Sequence, residues 1–324
     1  MKKKLIEQFS RQIILKNIGI IGQKKILSTK VLVIGAGGLG CPVAEFLVRS
    51  GIGALGIVDY DKVSLSNLHR QSLYEKSDIG KSKVLIVKKI LNRINPVTKV
   101  QSYNLKLNSI NIKKVIQKYD YVVDGSDNFK TKFLLNDFCL KYRKFLVSGA
   151  ISKFDGHIFS FDFKNKKTPC LRCFFQETEP SDDLLNCESE GILGTVAGIV
   201  GTIQANEILK KILSIGTNLN GYILILNLLD LNFRKVKINK NKKTPCLRCF
   251  FQEKKLSDDL LNCESEGILG TVAGIVGTIQ ANEILKKILS IGTNLNGYIF
   301  ILNLLDLNFR KVKLNKNKTC ICNK

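Results

Sequence analysis

The stretch Thr29-Lys30-Val31-Leu32-Val33-Ile34-Gly35-Ala36-Gly37-Gly38-Leu39-Gly40 decides the fold. Its β-branched run reads as a buried strand, its glycines as a tight turn, and the apolar residues through Val48 as a helix. Glycine lets a backbone approach phosphate, and a helix N-terminus offers unpaired N–H groups and the positive end of its dipole. Outward from this turn, a second strand, Ala54 to Val58, ends in Asp59 and Asp61. An acid about 20 residues past such glycines is where a ribose hydroxyl is held. Tyr119 to Val123 forms another strand that runs into Asp124-Gly125-Ser126-Asp127-Asn128, and Phe145 to Val147 one that ends in Ser148-Gly149-Ala150. Polar and glycine residues thus collect at the carboxyl ends of several strands, the edge where open α/β sheets bind ligands. The class expected is α/β with a mostly parallel sheet.

Two basic positions turn the reading from hydride transfer toward phosphate chemistry. Arg70 lies in Ser66-Asn67-Leu68-His69-Arg70-Gln71 and Lys83 in Gly80-Lys81-Ser82-Lys83, both after the second strand. A triphosphate carries more charge than a dinucleotide pyrophosphate, and clustered cations with a metal-binding carboxylate such as Asp127 would neutralise it. A nicotinamide oxidoreductase would share the glycines and Asp59 but gives no reason for the other residues.

Length and composition narrow the class. The chain has 324 residues, 44% of them apolar, enough for one large or two ordinary domains. Its basic start, Met1 to Gln8, leads into no apolar leader, so a cytoplasmic location is expected. The apolar run Gly191 to Ala205 is shorter than the roughly 20 residues that cross a bilayer and reads as a buried helix. A formal charge of +24 raises the question of nucleic acid, yet the lysines are scattered among Asn and Ile without an arginine-rich block, and an acidic protein partner fits equally well.

Ten cysteines without an export signal point to thiol or metal chemistry rather than to disulfides. Two Cys-x-x-Cys pairs make a closed tetrahedral zinc site, structural in role. Three pairs compete: Cys170/Cys173, Cys246/Cys249 and Cys320/Cys322. The expected zinc ligands are Cys170, Cys173, Cys246 and Cys249, with Cys320 and Cys322 as the alternative second pair. Cys41 and Cys139 read as core.

A long repeat complicates the organisation. Thr168 to about Lys242 recurs almost verbatim from Thr244 to about Lys318, so that Cys170, Cys187 and Asp230 return as Cys246, Cys263 and Asp306. Two copies of this length do not make a solenoid. The expected division is a main domain over 1–242, with an arm 1–29, a nucleotide-binding half 30–150 and a partner-binding and zinc half 151–242. Residues 243–324 follow as a second copy of 167–242 with a cysteine-containing tail. One sheet position cannot be filled twice, so one copy should complete the domain while the other docks, swaps or stays loose.

The sequence resembles the MoeB/ThiF/HesA family of sulfur-carrier adenylyltransferases, relatives of the ubiquitin-activating enzymes. The resemblance rests on Ser10-Arg11-Gln12-Ile13, Gly35 to Gly40, Asp59 to Asp61, Ser66 to Gln71, Lys83, Asn95-Pro96, Asp124 to Asn128 and Cys170 to Cys173. It implies a Rossmann-like, ThiF-type fold that adenylates the C-terminal glycine carboxylate of a ubiquitin-like sulfur carrier ending in Gly-Gly, in molybdenum cofactor or thiamine biosynthesis, with ATP, Mg²⁺ and Zn²⁺. By similarity, Gly35, Gly37, Gly38 and Gly40 line the phosphates, Asp59 and Asp61 lie at the ribose side, Asn67, Arg70 and Lys83 contact phosphates, and Asp127, beside Asn128, binds Mg²⁺. Arg11 would reach the triphosphate of a second protomer, implying a homodimer. Cys187 matches a loop cysteine that some relatives use for sulfur transfer or an acyl link. Two departures stand out: Lys132 occupies a usual arginine position, and the terminal Cys-x-x-Cys is altered to Cys320-Ile321-Cys322. A relative acting on modified tRNA, a nicotinamide oxidoreductase and a non-catalytic scaffold are the alternatives.

Overall fold

A computed structural model describes residues 1–165, 168–174, 191–238, 269–295 and 298–313. An eight-stranded sheet organises them, in the order β3-β2-β1-β4-β5-β6-β7-β8. Strands β1 (Lys30–Ile34), β2 (Ala54–Asp59), β3 (Lys99–Asn104), β4 (Tyr121–Asp124) and β5 (Phe145–Ser152) run parallel. β6 (Asp155–Asp162), β7 (Tyr222–Asn227) and β8 (Asn232–Lys237) extend the sheet antiparallel. The fold is the mostly parallel α/β architecture expected.

Alternation along the strands splits the core in two, because successive side chains of a strand point to opposite faces. Val31 and Val33 join one apolar cluster with residues of the helices Gly40–Arg49, Lys83–Ile94 and Gly194–Leu213, while Leu32 and Ile34 join another with residues of Ile112–Ile116 and Phe129–Lys141. The central strand order reverses at β1: β2 lies on one side and β4 on the other. A crevice opens at such a switch point outside the carboxyl ends of the strands.

The apolar run read as a buried helix is Gly194–Leu213, with 16 of its residues buried. Among the described residues no helix is long and apolar enough to cross a membrane.

The repeat divides its labour. Strands β7 and β8 of the first copy complete the eight-stranded sheet, whereas among the described residues β9 (Tyr298–Asn303) and β10 (Asn308–Lys313) of the second copy pair only with each other. The second copy's helix, Gly270–Leu289, packs against Gly194–Leu213 of the first.

Candidate active site

The glycine turn is held by its neighbours' backbones. Gly35 donates its N–H to the Val58 carbonyl and Gly125 donates to that of Ile34, both at 2.8 Å, which ties the ends of β1, β2 and β4 together. Gly35 has φ +88°, and a Cβ there would lie 2.8 Å from the Gly125 carbonyl oxygen. A Cβ on Gly40 would overlap the Gly35 carbonyl. Glycine at these two positions is therefore required by backbone approach.

Side chains brace the same loop. Asp59 Oδ2 accepts the Ala36 N–H at 2.7 Å and its Oδ1 accepts that of Asp61 at 2.8 Å. Burial raises the Asp59 carboxyl above its usual range, against the two backbone hydrogen bonds and Lys83. A carboxylate has about four acceptor directions, so these bonds leave capacity for ribose hydroxyls. Tyr74, buried beneath the turn, donates its hydroxyl to the Ala36 carbonyl at 2.7 Å.

The expected cations flank the loop. Lys83 is 5% exposed and pairs with Asp61 at 3.1 Å. Arg70 runs beside Gly38: the position of a Gly38 Cβ is 3.7 Å from Arg70 Cδ. Its Nη1 donates to the Ser66 carbonyl and meets His69 Nε2, each at 2.8 Å. Asn67 plays a local part, accepting the Ser64 N–H through Oδ1 at 3.2 Å within a capping box. The turn carrying Arg70 is fixed this way. The helix Gly194–Leu213 closes the back, with Ala197 Cβ 3.1 Å from where a Gly38 Cβ would stand and a Gly194 Cβ directed onto the His69 carbonyl.

Asp127 stands exposed just past the end of β4, where Asn128 donates Nδ2 to its Oδ1 at 3.2 Å. Asn128 also caps the helix Phe129–Lys141 by accepting the Thr131 N–H at 2.9 Å.

Beneath Asp127 lies a network that the sequence did not single out. Asp124 is fully buried; its Oδ2 meets Lys132 Nζ at 3.1 Å and Ser148 Oγ at 2.6 Å, and its Oδ1 accepts the Ser126 N–H at 2.9 Å. Lys132 also donates to the Gly149 carbonyl at 2.6 Å. Lysine at this departure from the family pattern thus makes point contacts in place of a guanidinium fork. Gln71 was missed as well. It is 4% exposed, its Nε2 lies 3.7 Å from the position of a Gly37 Cβ, and its Oε1 is buried with no hydrogen-bond partner among the described residues. Asp124 and Gln71 lie inside stretches read as motifs, but their partners and burial come only from tertiary placement.

Arg11 sits elsewhere. Its helix, Ser10–Ile13, is anchored through Gln12 Nε2, which donates to the Ser50 carbonyl at 3.2 Å. Ser50 terminates the helix that begins at Gly40, and ten helical residues span about 15 Å. Arg11 is therefore not among the residues brought to this crevice.

Cys170 and Cys173 face each other with Sγ atoms 3.8 Å apart. Two thiolates bound tetrahedrally at about 2.3 Å from zinc stand at about this separation. Asn136 and Asp137 hold the segment: Leu171 N–H donates to Asn136 Oδ1, and Arg172 makes a two-point pair with Asp137 at 2.9 and 2.8 Å. Cys187, Cys246, Cys249, Cys263, Cys320 and Cys322 lie outside the described residues. Cys41 and Cys139 are fully buried, as read, and burial pushes the Cys41 thiol up to about 12.

Comparison with known proteins decides the family, since the ThiF family model matches residues 9–244 and again 238–323. The chain belongs to the ThiF family. This ThiF-family chain is 39% identical over 246 residues to the sulfur carrier protein adenylyltransferase of Thermus thermophilus, a match covering 75% of the chain and 91% of that protein. It is 41% identical over 244 residues to the adenylyltransferase and sulfurtransferase MOCS3 of Xenopus laevis, covering 75% of the chain but only 53% of MOCS3. The chain thus spans about half the length of that relative. The class of its reaction is adenylyl transfer, as in both relatives. The ThiF-type fold is shared with Escherichia coli MccB at TM-score 0.63 and 18% identity, over 81% of this chain and 77% of MccB.

Proposed function

We propose that this ThiF-family protein uses ATP to adenylate the C-terminal glycine carboxylate of a ubiquitin-like sulfur carrier ending in Gly-Gly, releasing pyrophosphate, in molybdenum cofactor or thiamine biosynthesis in the cytoplasm. The observation that carries the proposal is the convergence of the glycine turn, Asp59, Arg70, Lys83 and Asp127 at the carboxyl ends of β1, β2 and β4.

The chemistry follows from that arrangement. A carboxylate oxygen attacks the α-phosphorus, a carboxyl-to-phosphorus bond forms, and the bond to the oxygen bridging the α- and β-phosphates breaks with its electrons on pyrophosphate. The attacking carboxylate is ionised at neutral pH, so no general base is needed. Rate then comes from alignment and from neutralising charge on the phosphates. In this reading Asp59 holds the ribose, while Arg70 and Lys83 meet phosphate oxygens. Asp61 keeps Lys83 in place, and Asn67 sets the turn that carries Arg70. Asp127, on the exposed rim, is the carboxylate for Mg²⁺, which binds through one or two carboxylates plus substrate phosphates. Arg11 can join this set only from a second chain.

The Cys170–Cys173 spacing fits half of a structural zinc site. Cys246 and Cys249 are the proposed second half, with Cys320 and Cys322 as the alternative. Cys187 is the proposed thiol for sulfur transfer or an acyl link to the carrier.

The test is exchange of labelled pyrophosphate into ATP by the full chain, with and without a carrier. Carrier-dependent exchange that Asp127→Ala lowers a hundredfold or more supports the reading. Exchange unaffected by Asp127→Ala removes the metal assignment, and binding of NADH in place of ATP favours the oxidoreductase alternative.

A further inference from the structure

One buried carboxylate closes a ring around the loop that carries Asp127. Upstream of Asp127, Asp124 Oδ1 accepts both the N–H of Ser126 at 2.9 Å and its hydroxyl at 2.5 Å. Downstream, Asn128 caps the helix Phe129–Lys141, and the Lys132 N–H donates to the Asn128 carbonyl at 3.2 Å. Lys132 Nζ then returns to the same carboxylate, donating to Asp124 Oδ2 at 3.1 Å. Residues 125–128 are thus held at both ends by Asp124. Asp127 is the exposed member of the ring, and its Oδ1 accepts Asn128 Nδ2 at 3.2 Å.

The ring is anchored to its surroundings. Ser148 of β5 donates its hydroxyl to Asp124 Oδ2 at 2.6 Å, and Lys132 Nζ donates to the Gly149 carbonyl at 2.6 Å. From the helix Gly194–Leu213, Gln204 Nε2 donates to the Asp124 carbonyl at 2.8 Å. Asp124, Lys132, Ser148 and Gln204 are each at most 3% exposed. Buried networks of this kind rigidify what they join, because each contact is strong in a low-dielectric interior. Apolar side chains of similar volume often stabilise a core at least as well as a buried ion pair, but they would give Ser126 and Lys132 no common anchor. What the charged pair adds is the geometry of the Asp127 loop.

We propose that Lys132 is a positioning residue for the divalent cation: by holding Asp124 it fixes the Asp127 carboxylate at the rim of the crevice. The inference rests on the reading of Asp127 as the Mg²⁺ carboxylate. Mg²⁺ demands near-octahedral geometry, so a carboxylate free to wander lowers the affinity for metal more than the affinity for nucleotide.

Manganese stands in for magnesium in the test, since both suit oxygen ligands. Mn²⁺ binding to the full chain with α,β-methylene ATP is titrated by electron paramagnetic resonance, beside calorimetric binding of the same nucleotide without metal and stability in urea. Lys132→Met, and Asp124→Asn with Lys132→Met, should each weaken Mn²⁺ by about tenfold or more while metal-free nucleotide binding stays within about threefold. The double variant should regain part of the stability lost on Lys132→Met without regaining the metal. Mn²⁺ affinity that recovers with stability, or that neither variant changes, would overturn the proposal, as would an equal loss of metal-free nucleotide. Asp127→Ala separates the two readings. If it leaves Mn²⁺ affinity unchanged, the metal assignment fails and this inference with it; if it weakens Mn²⁺ where the Lys132 variants do not, this inference alone fails. Should Lys132→Met fail to fold, the double variant and Ser126→Ala, expected to weaken Mn²⁺ in the same direction, still decide.

Discussion

Asp59 Oδ2 accepts the Ala36 N–H at 2.7 Å, so the acid at the end of β2 holds the glycine turn at the end of β1. A single carboxylate thereby shapes the phosphate loop and, in the proposed reaction, faces the ribose. Asp59→Ala should remove both contributions. It is expected to weaken ATP binding by tenfold or more and to lower the thermal midpoint, read by calorimetric titration and by differential scanning fluorimetry on the same sample.

Gly35→Ala probes the turn itself. Its φ of +88° and the 2.8 Å approach to the Gly125 carbonyl leave no strain-free place for a methyl group. A loss of about 1–3 kcal/mol in urea denaturation, with ATP binding lost, is expected; a neutral effect would mean that the turn is looser than described.

The Asp124–Lys132 pair is buried at both ends, with side chains 0% and 3% exposed. Lys132→Met leaves an uncompensated carboxylate, which costs about 3–5 kcal/mol when one partner of a buried pair is removed. Chemical denaturation checks the value. Asp124→Asn combined with Lys132→Met should recover part of the loss, because neither charge then remains alone.

Much of this was legible from sequence, and the division is physical. The glycine turn and Asp59 are local signals, a strand, a turn and a helix in succession, and they survive without knowledge of the fold. The Asp124–Lys132–Ser148 network joins β4, β5 and a helix, so it exists only after strands pair. Gln71 closes the Ser66 to Gln71 motif without a role of its own in the sequence, and packing buries it to 4% exposure. The repeat was plain in sequence, but which copy joins the sheet shows only in the fold. Asn67, which the resemblance puts at a phosphate, also caps a turn through its oxygen, a role that only the folded backbone displays.

Both histidines should make the fold sensitive to mild acid. Burial lowers the titration of His157, with Asp155 acting against it, and burial and Arg70 lower that of His69. With folded pKa values below the ordinary 6.5, the unfolded chain binds more protons as pH falls below that point. Stability contributed by the neutral rings is thus full above about pH 6.5 and declines below it toward the folded values. Urea midpoints at pH 7.5 and 5.5 should show this decline, and His157→Gln should reduce the difference.

Zinc content separates the cysteine assignments. Full-length protein should hold one zinc per chain by elemental analysis, and Cys170→Ser or Cys173→Ser should lower it. Loss on Cys246→Ser but not on Cys320→Ser would assign the second pair.

Mass spectrometry of the carrier protein after incubation with ATP, Mg²⁺ and this chain bears on the proposed reaction without intermediary steps. One adenylyl group should appear on the C-terminal glycine of the carrier, and a carrier lacking that glycine should stay unmodified. ATP consumption with the carrier unmodified, or adenylylation at any other residue, would contradict it.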